Sequence, residues 1–195
     1  MNNLEIINTF IEYSTRVISN GGILLGMFLI ILESFIPVLP LSVFVALNTH
    51  TFGLIPGILA SWVSTCIGCY ISYLFFYYIS NNVIYKHLSK KTMKKIDKAI
   101  DKFQNISLSN LTVIITLPFT PAFLINILAG VSSMSKKKFL LAILIGKIFM
   151  ISFWGYIGKS LVESMTDITT IITMSIMIVI AYVLSKIVGK KANID

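Results

Sequence analysis

Charge is what this sequence has least of. Only 12% of its 195 residues are charged, about half the share of a soluble domain. Across residues 17–85 the single formally charged side chain is Glu33, and residues 103–135 and 168–185 carry none. Apolar runs of this length cannot all hide inside a core of this size, whereas a bilayer accepts them. That excludes a soluble enzyme. Cysteine is scarce too. Cys66 and Cys69 lie inside an apolar run with no second pair and neither His50 nor His87 nearby. A secreted disulfide scaffold and a zinc site are therefore excluded, and the two thiols read as small residues at helix spacing. The N-terminus lacks a basic region ahead of an apolar one, so no cleavable signal peptide is expected.

What charge there is sits in clusters. Sixteen basic residues against eight acidic give a net +8, but the lysines lie between apolar runs and form no separate basic face. They mark cytoplasmic loops, and no nucleic-acid partner is expected. The composition is that of an all-α integral membrane protein with a mean hydropathy of +0.87.

Along the chain, residues 3–18 place apolar side chains at helical spacing among Asn, Glu and Thr, which predicts an interfacial amphipathic helix ending at Gly21-Gly22. Residues 23–48 are apolar but interrupted by Glu33, Pro37 and Pro40, so a continuous helix is not expected there. Residues 52–80 form a full span. Its Gly53, Gly57, Ser61, Ser64, Gly68 and Ser72 make a small-residue stripe that lets another backbone come close. Residues 84–105 carry seven lysines opposite Met93, Ile96, Ile100 and Phe103. That is a basic amphipathic helix suited to anionic lipid headgroups at Lys90, Lys91, Lys94, Lys95 and Lys98. Residues 108–131 are again apolar and broken by Pro118 and Pro121. Spans at 139–160 and 168–185 follow, separated by a turn with Glu163 and Asp167.

The two P-x-x-P pairs are separated by the same 81 positions (118 − 37 and 121 − 40). Each half thus reads as a broken hairpin followed by a full span. If 108–131 crossed completely, the lysines of 86–102 and Lys136-Lys137-Lys138 would face opposite sides, against the positive-inside bias. If it dips in and returns, every basic cluster and the C-terminus are cytoplasmic and the acidic turn is outside. Applied to 23–48, the same logic yields two opposed re-entrant hairpins, an inverted repeat with about three full spans, whose tips meet around a polar cavity. A single kinked span at 23–48 stays open as the other reading.

Glu33-Ser34-Phe35-Ile36-Pro37-Val38-Leu39-Pro40 resembles the E-x-x-x-P-x-x-P motif of the DedA family, also called the VTT or SNARE-associated Golgi protein family. Pro118-Phe119-Thr120-Pro121, continuing through Asn126 to Ala129-Gly130, Phe139 and Ile145-Gly146, is similar to its second motif. The likeness covers about residues 20–160. It implies opposed re-entrant hairpins and a protein of the plasma membrane that moves lipids. Bacterial members are linked to returning undecaprenyl phosphate, and eukaryotic members to phospholipid scrambling. Two features depart from the family pattern. Where an arginine usually stands three residues before the second motif, this chain has Ile115, and Arg16 is its only arginine. The second acidic residue of many first hairpins is also absent.

Two charges stand out. A carboxylate near the bilayer centre costs about 2.5–3.5 kcal/mol on insertion scales, so Glu33 needs a use. It takes and releases a proton, or it bonds to backbone freed beside Pro37 and Pro40. Lys147 lies nine residues beyond Lys138, roughly 13 Å deeper at helical rise. It pairs with Glu33, stands in for the missing arginine as a phosphate ligand, or snorkels to the headgroups. Lys159 sits at the far end, where snorkelling suffices. Thr120 and Asn126 are further binding candidates, and Pro37, Pro40, Pro118, Pro121 and Gly130 are expected to build the hairpin tips. Trp62 and Trp154 suit a membrane belt or packing, and no metal role is expected for the histidines.

The expected function is transport of a phosphate-bearing lipid without a cofactor, the protein being a possible homo-oligomer. The alternatives are a proton-coupled carrier of a small solute and a non-transporting membrane organiser. An enzyme is not expected, since no nucleophile–base pair, metal cluster or phosphate loop is present.

Overall fold

The computed structural model describes residues 3–36, 40–79, 100–101, 103–163, 172, 175–180, 182–183 and 186–187. Six helices carry the architecture: α1 (Asn3–Glu33), α2 (Leu41–Phe52), α3 (Leu54–Ile79), α4 (Leu108–Thr116), α5 (Ala122–Val131) and α6 (Lys136–Glu163). Among the described residues there is no strand.

At Gly21-Gly22 one helix ends and a second begins across a kink, the break the sequence leads one to expect, and α1 names the pair. Gly22 takes φ 68 and ψ −179, a backbone state that a side chain would strain. The apolar run after it is helical to Glu33. The helix expected at 3–18 and the first arm of 23–48 follow one another across this kink, and the stretch Glu12–Glu33 is long and apolar enough to cross a membrane. Leu54–Ile79 and Lys136–Gly158 are the other two such helices. The span expected at 168–185 is described only in part and is helical at those residues. The basic helix expected at 84–105 lies outside the described residues up to position 99, so the five lysines proposed to meet headgroups do too. Its end contributes Ile100 and Phe103, both buried.

The second proline of each pair does the same job. Pro40 (φ −81, ψ 109) is the N-cap of α2, and Pro121 (φ −69, ψ 108) is the N-cap of α5. Proline lacks an N–H and cannot continue a helix upstream, so it suits the boundary where the next helix begins. Neither cap offers a side-chain acceptor. By contrast α4 opens on Ser107, whose hydroxyl accepts from the Asn110 N–H at 3.1 Å, an ordinary serine cap. The helix α5 ends where Ser133 turns to φ 51, and the Met134 N–H reaches the Ala129 carbonyl at 3.1 Å.

With 9 and 10 residues, α4 and α5 are each roughly 14–15 Å long, half of a ~30 Å hydrocarbon core. The chain also returns to where it began: the Lys138 ammonium, past α5, donates to the Gln104 carbonyl, ahead of α4, at 3.3 Å.

Packing exchanges partners between the two halves. The first helix packs on α3 and α4 packs on α6, while the short helices cross over, α2 onto α6 and α5 onto α3. Small residues make this possible. A Cβ on Gly57 would strike the α2 backbone at Asn48 and Thr49, and one on Gly68 would strike Ile31 and Ser34 at the end of α1. Two apolar clusters fill the interior. Tyr73, Leu111, Ile114, Ile125, Phe139 and Ile143 form one; Ile30, Val45, Met150 and Ile151 form the other. Asn48, fully buried, donates to the Ser61 hydroxyl at 3.1 Å and ties α2 to the stripe.

A cavity between the proline-capped helices

The first turns of α2 and α5 open on one cavity of about 180 Å³, lined by Glu33, Leu41, Ser42, Thr120, Pro121, Ala122 and Trp154 among others. The first N–H groups of a helix have no partner within it. Without side-chain caps at Pro40 and Pro121, both helix starts present backbone donors and the positive end of the helix dipole. Glu33, at the end of α1, stands on the same wall. Its Oε2 is buried without a hydrogen-bond partner.

A smaller pocket of about 10 Å³ adjoins this cavity through Thr120 and Ala122, which line both, and adds Ile115, Ile125, Asn126, Ile143 and Lys147. That is room for about one water. Lys147 is 3% exposed, and its ammonium donates to the Met150 sulfur at 3.4 Å. Asn126, 1% exposed, has a side-chain amide donor with no partner. Burying a donor unmatched, as at Asn126, is expensive, and both residues line the pocket that shares Thr120 and Ala122 with the larger cavity.

The expected site residues separate as follows. Glu33, Lys147, Thr120, Asn126, Pro118 and Pro121 come together around the two spaces. Glu33 and Lys147 do not meet in a hydrogen bond: each faces its own compartment. Ile115, at the place of the family arginine, lines the pocket that holds Lys147, and a Cβ on the neighbouring Gly146 would press on Ile115. Pro40 caps α2, and Pro37 lies outside the described residues. Gly130 is not at a tip. It sits in the last turn of α5, where a Cβ would meet the Tyr73 carbonyl oxygen at 2.7 Å and the Tyr77 nitrogen at 2.9 Å, so it sets how closely α5 approaches α3. Lys159 and His87 carry no described side chain, and His50 lies in the last turn of α2.

Ser42 and Met150 line the main cavity though neither is among the expected site residues, and Phe119 of the second motif and Trp154, expected in a belt or in packing, line it with them. Phe119 and Trp154 meet edge to face with ring centres 5.9 Å apart. Its position two residues past Pro40, in the first turn of α2, is the signal that could have found Ser42. The other indole, Trp62, lies elsewhere and donates to the Leu144 carbonyl at 3.1 Å.

These features define an α-helical membrane protein with a polar cavity between two proline-capped helices. A family model described as the VTT domain matches residues 39–160. Over 170 residues the chain is 31% identical to YhjE of Bacillus subtilis (strain 168), an uncharacterized membrane protein, covering 85% of this chain and 80% of that one. The chain belongs to the VTT-domain, or DedA, family. No solved structure matches it.

Proposed function

We propose that this protein moves a phosphate-bearing lipid, such as a polyprenyl phosphate or a phospholipid, across the plasma membrane, with the headgroup passing through the cavity and the tail left in the bilayer. The observation that carries this reading is the convergence of hydrogen-bond donors. Two uncapped helix starts, the Asn126 amide and the Lys147 ammonium face two adjoining spaces, and helix N-termini with a cation nearby favour phosphate. In this reading the segments 23–48 and 108–131 are opposed re-entrant hairpins related as an inverted repeat. The short legs of α4 and α5, the Lys138–Gln104 contact and the crossed packing of α2 and α5 support that arrangement. The lysine clusters and the C-terminus then face the cytoplasm.

Glu33 supplies the coupling. An ionised carboxylate on the cavity wall repels an entering phosphate, so the headgroup is accepted when Glu33 holds a proton and expelled when it loses it. Lys147 serves as the cation that the family places at the position of Ile115.

Binding tests the reading directly. In a Trp62→Phe background Trp154 reports from the cavity wall. A short-chain isoprenyl phosphate should change its emission saturably, while the matching isoprenyl alcohol should not. Lys147→Ala should weaken the phosphate response at least about tenfold, as expected for losing a charge-assisted contact of 1.5–3 kcal/mol. Equal responses to phosphate and alcohol, or an unchanged affinity in Lys147→Ala, would overturn it.

A further inference from the structure

A second groove lies away from the polar cavity, between α3 and α6. About 220 Å³ in volume, it is walled by Trp62, Val63, Ile67, Tyr70, Leu140 and Leu144. Its surface is apolar throughout. Val63 and Ile67 are exposed on a helix long and apolar enough to span, so the groove opens where lipid would lie. An apolar groove left empty there would forfeit the dispersion contacts of its walls.

The groove points at a cation. From Leu144 through Leu140 to Lys136 is a single face of α6, taken in steps of four residues. From Tyr70 to Tyr77 is the matching face of α3, one heptad on. The two faces end together. The Lys136 ammonium donates to the Tyr78 hydroxyl at 2.9 Å and lies 5.1 Å and 5.0 Å from the ring centres of Tyr77 and Tyr78. Lys136 is fully exposed, among the described residues no carboxylate pairs with it, and Lys137 stands exposed beside it. The rings hold the ammonium one helical turn beyond the groove's Leu140 without neutralising it. An apolar trough about 12 Å long by helical rise from Trp62 to Tyr70, with a fixed positive charge one turn beyond it, matches a lipid with an acidic headgroup.

We propose that the α3–α6 groove binds an anionic phospholipid, with an acyl chain along Trp62, Ile67 and Leu140 and the phosphate at Lys136. This site is separate from the Glu33–Lys147 cavity and does not depend on the transport reading.

Trp62 in the groove wall provides the readout. With Trp154→Phe, Trp62 is the only indole of the two. The full-length protein is reconstituted into vesicles containing either brominated phosphatidylglycerol or brominated phosphatidylcholine, and quenching of Trp62 is measured against mole fraction. The phosphatidylglycerol should quench at about fivefold lower mole fraction, the preference expected of one lysine near a headgroup. Lys136→Gln should abolish the preference and Lys136→Arg should keep it. Neither surface substitution touches the core, and an unchanged helical circular dichroism spectrum confirms that each variant is folded. Equal quenching by the two lipids, quenching by neither, or a preference that survives Lys136→Gln would each overturn the proposal. Glu33→Gln should leave the preference intact, which separates this site from the transport cavity.

Discussion

Burying an ammonium group costs several kcal/mol unless something inside compensates it, and at Lys147 the fold supplies a thioether 3.4 Å away. In the proposed reading such a side chain is maintained for what it does rather than for stability. Lys147→Met, similar in volume and apolar, should therefore raise the melting temperature in detergent while abolishing the phosphate response of Trp154. A lowered melting temperature would mean that Lys147 is structural. Glu33 makes a second prediction. Its carboxylate shares a cavity wall with the uncapped helix starts, so affinity for a phosphate headgroup should fall as pH rises and Glu33 loses its proton. The headgroup's own second ionisation, near pH 6, is common to wild type and variant. The difference between wild type and Glu33→Gln in a titration from pH 5 to 9 isolates Glu33, and the variant should show the flatter profile. Both residues were legible from the sequence because charge is so rare in it. Their surroundings were not: the pocket joining Lys147 to Ile115 and Asn126 draws on three helices, and no periodicity links positions 115, 126 and 147.

Helices here are bounded by proline and glycine and held together by the absence of side chains. The starts of α2 and α5 were readable because an N-cap proline is a local property. The break at Gly21-Gly22 was readable for the same reason, but not that the next helix starts at once, because two glycines do not say how soon the chain turns helical again. Gly130 shows the same limit. Its neighbourhood is set by α3, more than fifty residues earlier in the chain, so its place in the α3–α5 contact could not be read from its own segment. That contact predicts a specific sensitivity. Gly130→Val would drive a branched side chain against the Tyr73 carbonyl and the Tyr77 amide, backbone atoms that cannot turn aside. Overpacking of this kind costs about 1–3 kcal/mol. Thermal melting should show the loss as a lowered midpoint.

At the scale of the molecule, the disposition of charge argued for sidedness, and the contact of Lys138 with Gln104 joins two ends that the charge argument also placed on one side. Substituted-cysteine labelling in a background lacking Cys66 and Cys69 tests this. Cysteines at Gln104 and Lys137 should react from the same face of the membrane, as should cysteines at Asn20 and His50. Opposite faces for either pair would mean that the corresponding segment crosses completely. The central claim is that the cavity between α2 and α5 carries a phosphate headgroup from one leaflet to the other. Its most direct test is translocation of a fluorescent short-chain polyprenyl phosphate in proteoliposomes, followed by loss of signal to a membrane-impermeant quencher. Wild-type protein should speed translocation over protein-free vesicles, and Lys147→Ala and Glu33→Gln should each return it to the protein-free rate. Wild-type rates in both variants, or no acceleration by the wild-type protein, would contradict the account.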